Sequence, residues 1–402
     1  MGIGRVTSCV VLPLRFRYTG ASLKEVTVTR FRSIAALLPL LVCGLTGCTT
    51  LMQGRPLPDG FEVRELTKAD AGTPFAVSSK GSFAAISKGA IQLIESGGTV
   101  RSIAQGQASV LCFSPSGEKL AAALPAEKQS ILRLFDGQGK VLAETTIPGR
   151  VTSVAWRSDQ HLVATSLTVR KYSFGSLLSN YLYLWDGATA PVSTALGDVT
   201  VRPALAKLPE ETLFRSYLMA LSPYGDEIAY SSIKDPPLFP PYQRIALRHL
   251  ESGADRDLAV TSIGSGGPLY FPDGESLLIG NADRLTRRLA IPDAREMDAW
   301  PAPGSYPALS PSGSYAFLNG RLYHDGRALI SFPPQSRGAF LPDGSGLAIS
   351  YNGKLYLVSG LKDQPAAPMP ADTGRLLKLR RLRSLGLISE KEYRTQKEAV
   401  ER

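Results

Sequence analysis

Val110-Leu-Cys-Phe-Ser114-Pro-Ser-Gly117-Glu-Lys-Leu120-Ala-Ala-Ala-Leu124 holds two apolar runs separated by a turn that contains both proline and glycine. Proline fixes φ near −65° at the second position of a tight turn, and glycine accepts the positive φ that closes it. The stretch therefore predicts a strand, a tight turn and a second strand. Variants of the turn recur at Ser222-Pro223-Tyr224-Gly225, Phe271-Pro272-Asp273-Gly274, Ser310-Pro311-Ser312-Gly313 and Leu341-Pro342-Asp343-Gly344. Two degenerate copies, Ser79-Lys80-Gly81 and Arg157-Ser158-Asp159-Gln160, bring the count to seven. From glycine to glycine the spacings are 36 residues from Gly81 to Gly117, 108 across two units to Gly225, then 49, 39 and 31. The long interval must contain an insertion.

Further strands are expected at Ile131 to Phe135 ahead of Asp136-Gly137, at Tyr181 to Trp185 ahead of Asp186-Gly187, and at Lys354 to Val358 ahead of Ser359-Gly360. No long amphipathic helix precedes residue 375, so the pattern predicts an all-β fold built from repeats. The turn with its flanking strands resembles the WD40-like (PD40-type) repeat of TolB-type periplasmic proteins over roughly residues 60–360. The resemblance implies a β-propeller and says little about function, and the seven turns count about seven blades, six and eight being the alternatives. After Gly344 only two clear strands remain before the tail. Phe61-Glu-Val-Arg-Glu-Leu66, alternating apolar and charged, is expected to close the ring as an outer strand, giving a propeller over 61–362.

Upstream, Arg30 and Arg32 precede Ile34 to Leu45, twelve residues without a charge. That is too short to cross a bilayer as a helix, which needs about 20 residues, but suits the apolar region of a signal peptide over 1–47. Residues 1–29 are long for such a leader, as an upstream start would make them, with initiation near Val28. Leu45-Thr46-Gly47-Cys48 resembles the bacterial lipobox. The resemblance implies cleavage before Cys48, lipid on its sulfur and acyl on its amine, with no other cofactor, and a membrane anchor followed by a linker over 48–60. Buried acyl chains at about 0.8 kcal/mol per CH₂ make such an anchor durable. Thr49 rather than Asp follows the cysteine, which in a Gram-negative envelope resembles the outer-membrane sorting pattern, with the chain facing the periplasm.

The net charge of +10 lies at the ends. Residues 1–47 hold six Lys/Arg and one Glu, residues 375–402 nine Lys/Arg and four Glu, and the span between them equal numbers of both signs. A nucleic-acid partner is not expected, because a binder needs positive charge on its folded face. Cys112 is the single cysteine beyond the expected leader and, inside an apolar strand, is read as a buried structural thiol.

After a Pro-rich linker over 363–374, residues 375–402 become Leu- and Lys/Arg-rich. Leu376, Leu379, Leu382 and Leu385 recur every third residue, Gly386 is a natural helix stop, and Ser389-Glu390-Lys391-Glu392 is a capping box with Ile388 and Tyr393 as its hydrophobic staple. The stretch Leu382 to Lys397 resembles the short C-terminal SHOCT domain, which implies oligomerisation or docking through Leu379, Leu382, Leu385, Ile388 and Tyr393. A hairpin this short cannot bury a core alone, so its leucine face must meet a second copy, the propeller or a partner.

Motifs of chemistry are missing: no nucleophile elbow, phosphate-binding loop or zinc-protease signature occurs, and His161, His249 and His324 are far apart. No metal site is expected, and the Asp-Gly pairs read as turns. Two insertions, Thr168 to Phe214 with Tyr172, Phe174 and Tyr181, and Lys234 to Tyr242 with Phe239 and Tyr242, have the aromatic and Pro-rich composition of partner-binding loops. The function expected is a membrane-anchored, non-catalytic protein-binding or envelope-assembly scaffold. The alternative is a ligand-binding or enzymatic propeller with its site in the central channel, visible as a cluster of Asp, Glu, His or Arg at the channel mouth.

Overall fold

The structure, a computed structural model, describes residues 57–280, 284–304, 306–334, 336–364, 371–384 and 386–401. The leader, the lipobox, Cys48 and Leu385 lie outside the described residues.

Seven four-stranded antiparallel sheets form an all-β propeller. From the channel outward, blade 1 has strands Phe75–Val77, Phe83–Ser87, Ala90–Ile94 and Val100–Gln105, and blade 2 has Val110–Phe113, Lys119–Pro125, Gln129–Asp136 and Val141–Pro148. Blade 3 has Arg150–Trp156, Leu162–Tyr172, Gly175–Trp185 and Val192–Val201, and blade 4 has Met219–Leu221, Glu227–Lys234, Tyr242–His249 and Asp255–Thr261. Blade 5 has Leu269–Tyr270, Ser276–Gly280, Thr286–Ala290 and Glu296–Trp300, and blade 6 has Ala308–Leu309, Tyr315–Leu318, Arg321–His324 and Arg327–Ser331. Blade 7 has only Arg337–Phe340, Gly346–Tyr351 and Lys354–Ser359 of its own. Its outer strand is β1 (Glu62–Lys68), pairing Glu62 with Ser359 and Lys68 with Lys354. The first strand of the ring thus covers the edge left open by the last.

All seven sequence turns join the innermost strand of a blade to the next. In six of them the glycine N–H closes the turn onto the carbonyl three residues back, as from Gly117 to Ser114 at 2.8 Å. The second strands read as near-continuous apolar runs because both faces are covered. In blade 2, Leu120, Ala122 and Leu124 pack toward blade 1, while Ala121 and Ala123 pack toward blade 3. Period-two alternation here separates two neighbours rather than core from solvent. The core is accordingly a ring of inter-blade layers, closed by Phe83, Ala85 and Ile94 of blade 1 against Ala348 and Leu355 of blade 7.

Strand direction gives the ring two faces. The glycine turns and the joins between third and outer strands share one, the turn face. The joins between second and third strands, and the crossings from blade to blade, share the other, the loop face. The Thr168 to Phe214 insertion extends the strands of blade 3 and then forms two short helices, α1 (Pro203–Ala206) and α2 (Glu210–Arg215), in the crossing to blade 4. Two longer helices follow the ring, α3 (Ala371–Ser384) and α4 (Glu390–Glu401). α3 starts four residues before the expected boundary at 375. Among the described residues no helix is long and apolar enough to cross a membrane.

Candidate functional site

On the loop face, the expected aromatic residues sit at the tips of two neighbouring blades. Tyr172 and Phe174 occupy the hairpin between the second and third strands of blade 3 and stack on each other with centroids 5.3 Å apart. Leu238 and Phe239 occupy the equivalent loop of blade 4 and are 89% and 67% exposed, against 65% for Phe174. Tyr242, which starts the following strand, is half-buried, as is Tyr181 within blade 3. Arg202, just after the outer strand of blade 3, ties that blade to the blade 4 loop. Its Nε and backbone N–H each donate to the Asp235 carboxylate at 2.8 Å, and its Nη2 reaches the Phe239 carbonyl. Burial would raise the Asp235 carboxyl, but the Arg202 hydrogen bonds and charge outweigh it and hold the group below the usual range. These exposed apolar side chains are therefore mounted on a braced scaffold.

Toward the axis of the same face, the channel mouth is a cavity of about 740 Å³. Arg150 enters it from the start of blade 3, Arg215 and Glu211 from α2, Tyr306 from the crossing into blade 6 and Arg337 from the start of blade 7. The Arg215 and Arg337 guanidiniums lie over the Tyr306 ring, 4.5 and 4.1 Å from its centroid. The Tyr306 hydroxyl donates to Glu211 Oε1 at 2.5 Å and accepts from Arg337 Nη2 at 3.0 Å. That hydroxyl, with the charges of Arg215, Arg337 and Arg150, holds the Glu211 carboxyl below its ordinary range, while burial and the Glu211 bond push the Tyr306 hydroxyl up. Sequence reasoning named none of these residues, because crossings of unrelated sequence bring them together, but they form the cluster of acidic and arginine side chains at the channel mouth that the alternative reading expected.

The C-terminal helices dock on the turn face. Arg381 of α3 is buried and donates to Asp226 Oδ1 at 2.9 Å and to the Gly274 carbonyl, with its guanidinium 4.8 Å from the Tyr224 ring centroid. Arg380 lies 3.6 Å from Glu275. Below this latch Glu227 is buried and accepts from the Tyr270 hydroxyl at 2.7 Å; burial pushes its carboxyl above the usual range.

α3 therefore has two buried sides where the leucine spacing suggested one. Leu377 and Arg381, one turn apart, are buried, while Leu379 and Leu382 line a groove with Gln396, Ala399 and Val400 of α4. Leu379 and Tyr393 are buried, Leu382 and Ile388 half-buried. Gly386 stops α3 as expected, with φ +70° and the Leu387 N–H reaching back to the Leu382 carbonyl at 2.9 Å. The Ser389 and Glu392 capping box is reciprocal, Ser389 N–H to Glu392 at 2.7 Å and Glu392 N–H to Ser389 Oγ at 3.2 Å.

Cys112 keeps some exposure as a residue, yet burial of its sulfur pushes the thiol up to about 12, so it stays protonated and inert. Among the described residues no group of three or more His, Cys, Asp or Glu side chains is placed to hold a metal ion.

The fold and its loop-face surface define a seven-bladed, WD40-like β-propeller. The chain is similar to a chain in the crystal structure of a mitotic checkpoint complex, with TM-score 0.54 and 13% identity over 75% of this chain and 95% of that one. It is similar to the β-propeller domain of Myceliophteria thermophila Cps50 (Swd1), with TM-score 0.50 and 17% identity over 73% and 98% of the two chains. Kuenenia stuttgartiensis hydrazine synthase gives TM-score 0.51 and 14% identity over 74% and 98%. At these identities the likeness concerns the fold. No protein-family model and no curated protein matches the chain.

Proposed function

We propose that this chain is a lipid-anchored, non-catalytic β-propeller that presents its loop face to a protein partner in the cell envelope. The observation that carries the reading is the exposed Leu238 and Phe239 beside the stacked Tyr172 and Phe174, two apolar tips of which that of blade 4 is braced to blade 3 by Arg202 and Asp235. Exposed apolar clusters held in place mark interaction surfaces, and aromatic residues dominate binding energy there.

The anchor belongs to the same reading. Cys48 lies nine residues before Leu57, a link of at most about 30 Å when fully extended. Because β1 starts at the turn face, a lipid on Cys48 keeps that face toward the bilayer and leaves the loop face outward. The docked hairpin keeps one groove open, floored by Leu379, Leu382, Ala399 and Val400 with Arg375 and Lys378 beside them, for oligomerisation or docking.

The test is cross-linked recovery of partners from intact cells with Leu238 and Phe239 both changed to Ser. The reading expects a partner recovered with the parent chain and lost from the variant, while its thermal midpoint is unchanged. Full recovery with the variant would refute it. The mass of the isolated chain reads the anchor separately, through an acylated Cys48 at its N-terminus.

A further inference from the structure

We propose that the channel mouth is a carboxylate-recognition site whose occupant is an acidic polypeptide segment of the partner, gripped by Arg150, Arg215 and Arg337. The proposal rests on the reading of the loop face as a partner-binding surface and specifies the chemistry that the partner brings.

Three guanidiniums and one carboxylate among the described residues line this cavity, and the carboxylate is engaged by Tyr306. The excess is positive. Arg215 contacts the Tyr306 ring and, among the described residues, no hydrogen-bond acceptor. Among the described residues Arg337 uses one hydrogen bond, to the Tyr306 hydroxyl. Arg150 rests over the Phe214 ring, 4.2 Å from its centroid, and stands 3.8 Å from Glu210. A guanidinium carries five N–H donors in a planar fork that matches a carboxylate, so most of this donor capacity is unspent. Contact with the tyrosine and phenylalanine rings holds the guanidiniums in place in advance and lowers the entropic cost of ordering them on binding.

Volume and lining narrow the occupant. A cavity of about 740 Å³ is far larger than a single inorganic anion fills, and it lies in the range of sites that enclose extended ligands. Apart from the charged cluster it is lined largely by turns with Thr73, Gln107, Ser109, Asn319 and Asn352, which offer hydrogen bonds rather than an apolar floor. It opens on the face that carries the aromatic tips, so one partner can engage both. A polypeptide with spaced carboxylates satisfies charge, length and backbone hydrogen bonding together.

The test uses the chain from residue 49 onward with fluorescein-labelled hexaglutamate and hexaglutamine, read by fluorescence anisotropy. Hexaglutamate is expected to bind, to weaken as salt rises from about 50 to about 500 mM, and to lose roughly tenfold in affinity in the Arg215→Gln/Arg337→Gln variant. Glu211→Gln is expected to tighten it by roughly threefold, an effect that a merely structural role for this cluster would not produce. Equal binding of the two peptides, or unchanged affinity in the double variant at an unchanged thermal midpoint, overturns the proposal. Displacement of hexaglutamate by inorganic phosphate at matched ionic strength also overturns it, because the site would then serve a free ion. The probe needs neither the lipid nor the aromatic tips, so a negative result here alongside partner recovery in cells refutes this site and not the scaffold.

Discussion

The turn face and the loop face are built from the same seven units, yet one is regular and the other is not. On the turn face four of the glycines, Gly117, Gly225, Gly274 and Gly313, meet the turn before them. A Cβ at Gly313 would lie 3.1 Å from both Phe271 and Pro272, one at Gly225 would lie 3.0 Å from Arg157, and one at Gly274 would strike Tyr224 at 2.5 Å. Hydrogen bonds follow the same path, from Ser116 N–H to Asp159 and from the Tyr224 hydroxyl to the Asp273 carbonyl. On the loop face the joins of blade 6 and blade 3 differ in reach, from Asn319-Gly320 to the long hairpin around Tyr172 and Phe174. Where each unit must meet the next, repetition is enforced by contact; where it meets solvent or a partner, the sequence diverges.

Removing the hairpin latch should have the largest effect. Arg381→Met leaves a buried Asp226 without its cation, and docking of α3 and α4 should weaken by about 3 kcal/mol, seen as faster hydrogen exchange across residues 371–401 with the blades still protected. Exchange unchanged from the parent would mean that apolar packing alone holds the helices.

A pair of glycine substitutions sharpens the contrast next. Gly344 has φ +74°, and a Cβ there would sit 2.5 Å from the Asp363 carbonyl oxygen; Gly89, on the loop face, has φ +69° with nothing within 4 Å. Urea unfolding should show Gly344→Ala destabilising by about 2–3 kcal/mol and Gly89→Ala by about 1 kcal/mol. The reverse order would break the argument that close contact constrains the turn face more than the loop face.

Glu227 supplies a pH dependence. Burial raises its folded-state pKa, so the folded chain retains a proton that the unfolded chain releases, and stability falls as pH rises from the ordinary glutamate range to the raised value. Glu227→Gln should flatten that fall while Tyr270 keeps an acceptor. Arg381→Met should steepen it, because Arg381 pulls the Glu227 pKa down. Denaturation midpoints across the acid-to-neutral range measure both.

The smallest effect on stability belongs to the loop face. Replacing Leu238 and Phe239 with Ser should move unfolding by no more than about 0.5 kcal/mol, since both are exposed.

The fold was legible because its determinants are local. Pro-Gly turns and apolar runs are written in consecutive residues, and even the closing strand showed in Phe61 to Leu66, displaced only slightly from Glu62–Lys68. The hairpin's stop and cap were legible for the same reason. The aromatic tips announced themselves by breaking the blade pattern. The arginine mouth and the Arg381 latch did not, because each joins residues far apart in the chain: Arg150 with Arg337, and Asp226 with Arg381. Leucine spacing also suggested a single buried side of α3, since an arginine seated on an acidic turn looks like any solvated arginine in sequence.

The division of labour between the faces is tested most directly by photo-cross-linking in intact cells, with the photoreactive residue placed either at Phe239 or at Lys391. The account predicts a protein adduct from Phe239 and none from Lys391, which α4 carries on the side of the turn face. A protein adduct from Lys391 with none from Phe239 would contradict it.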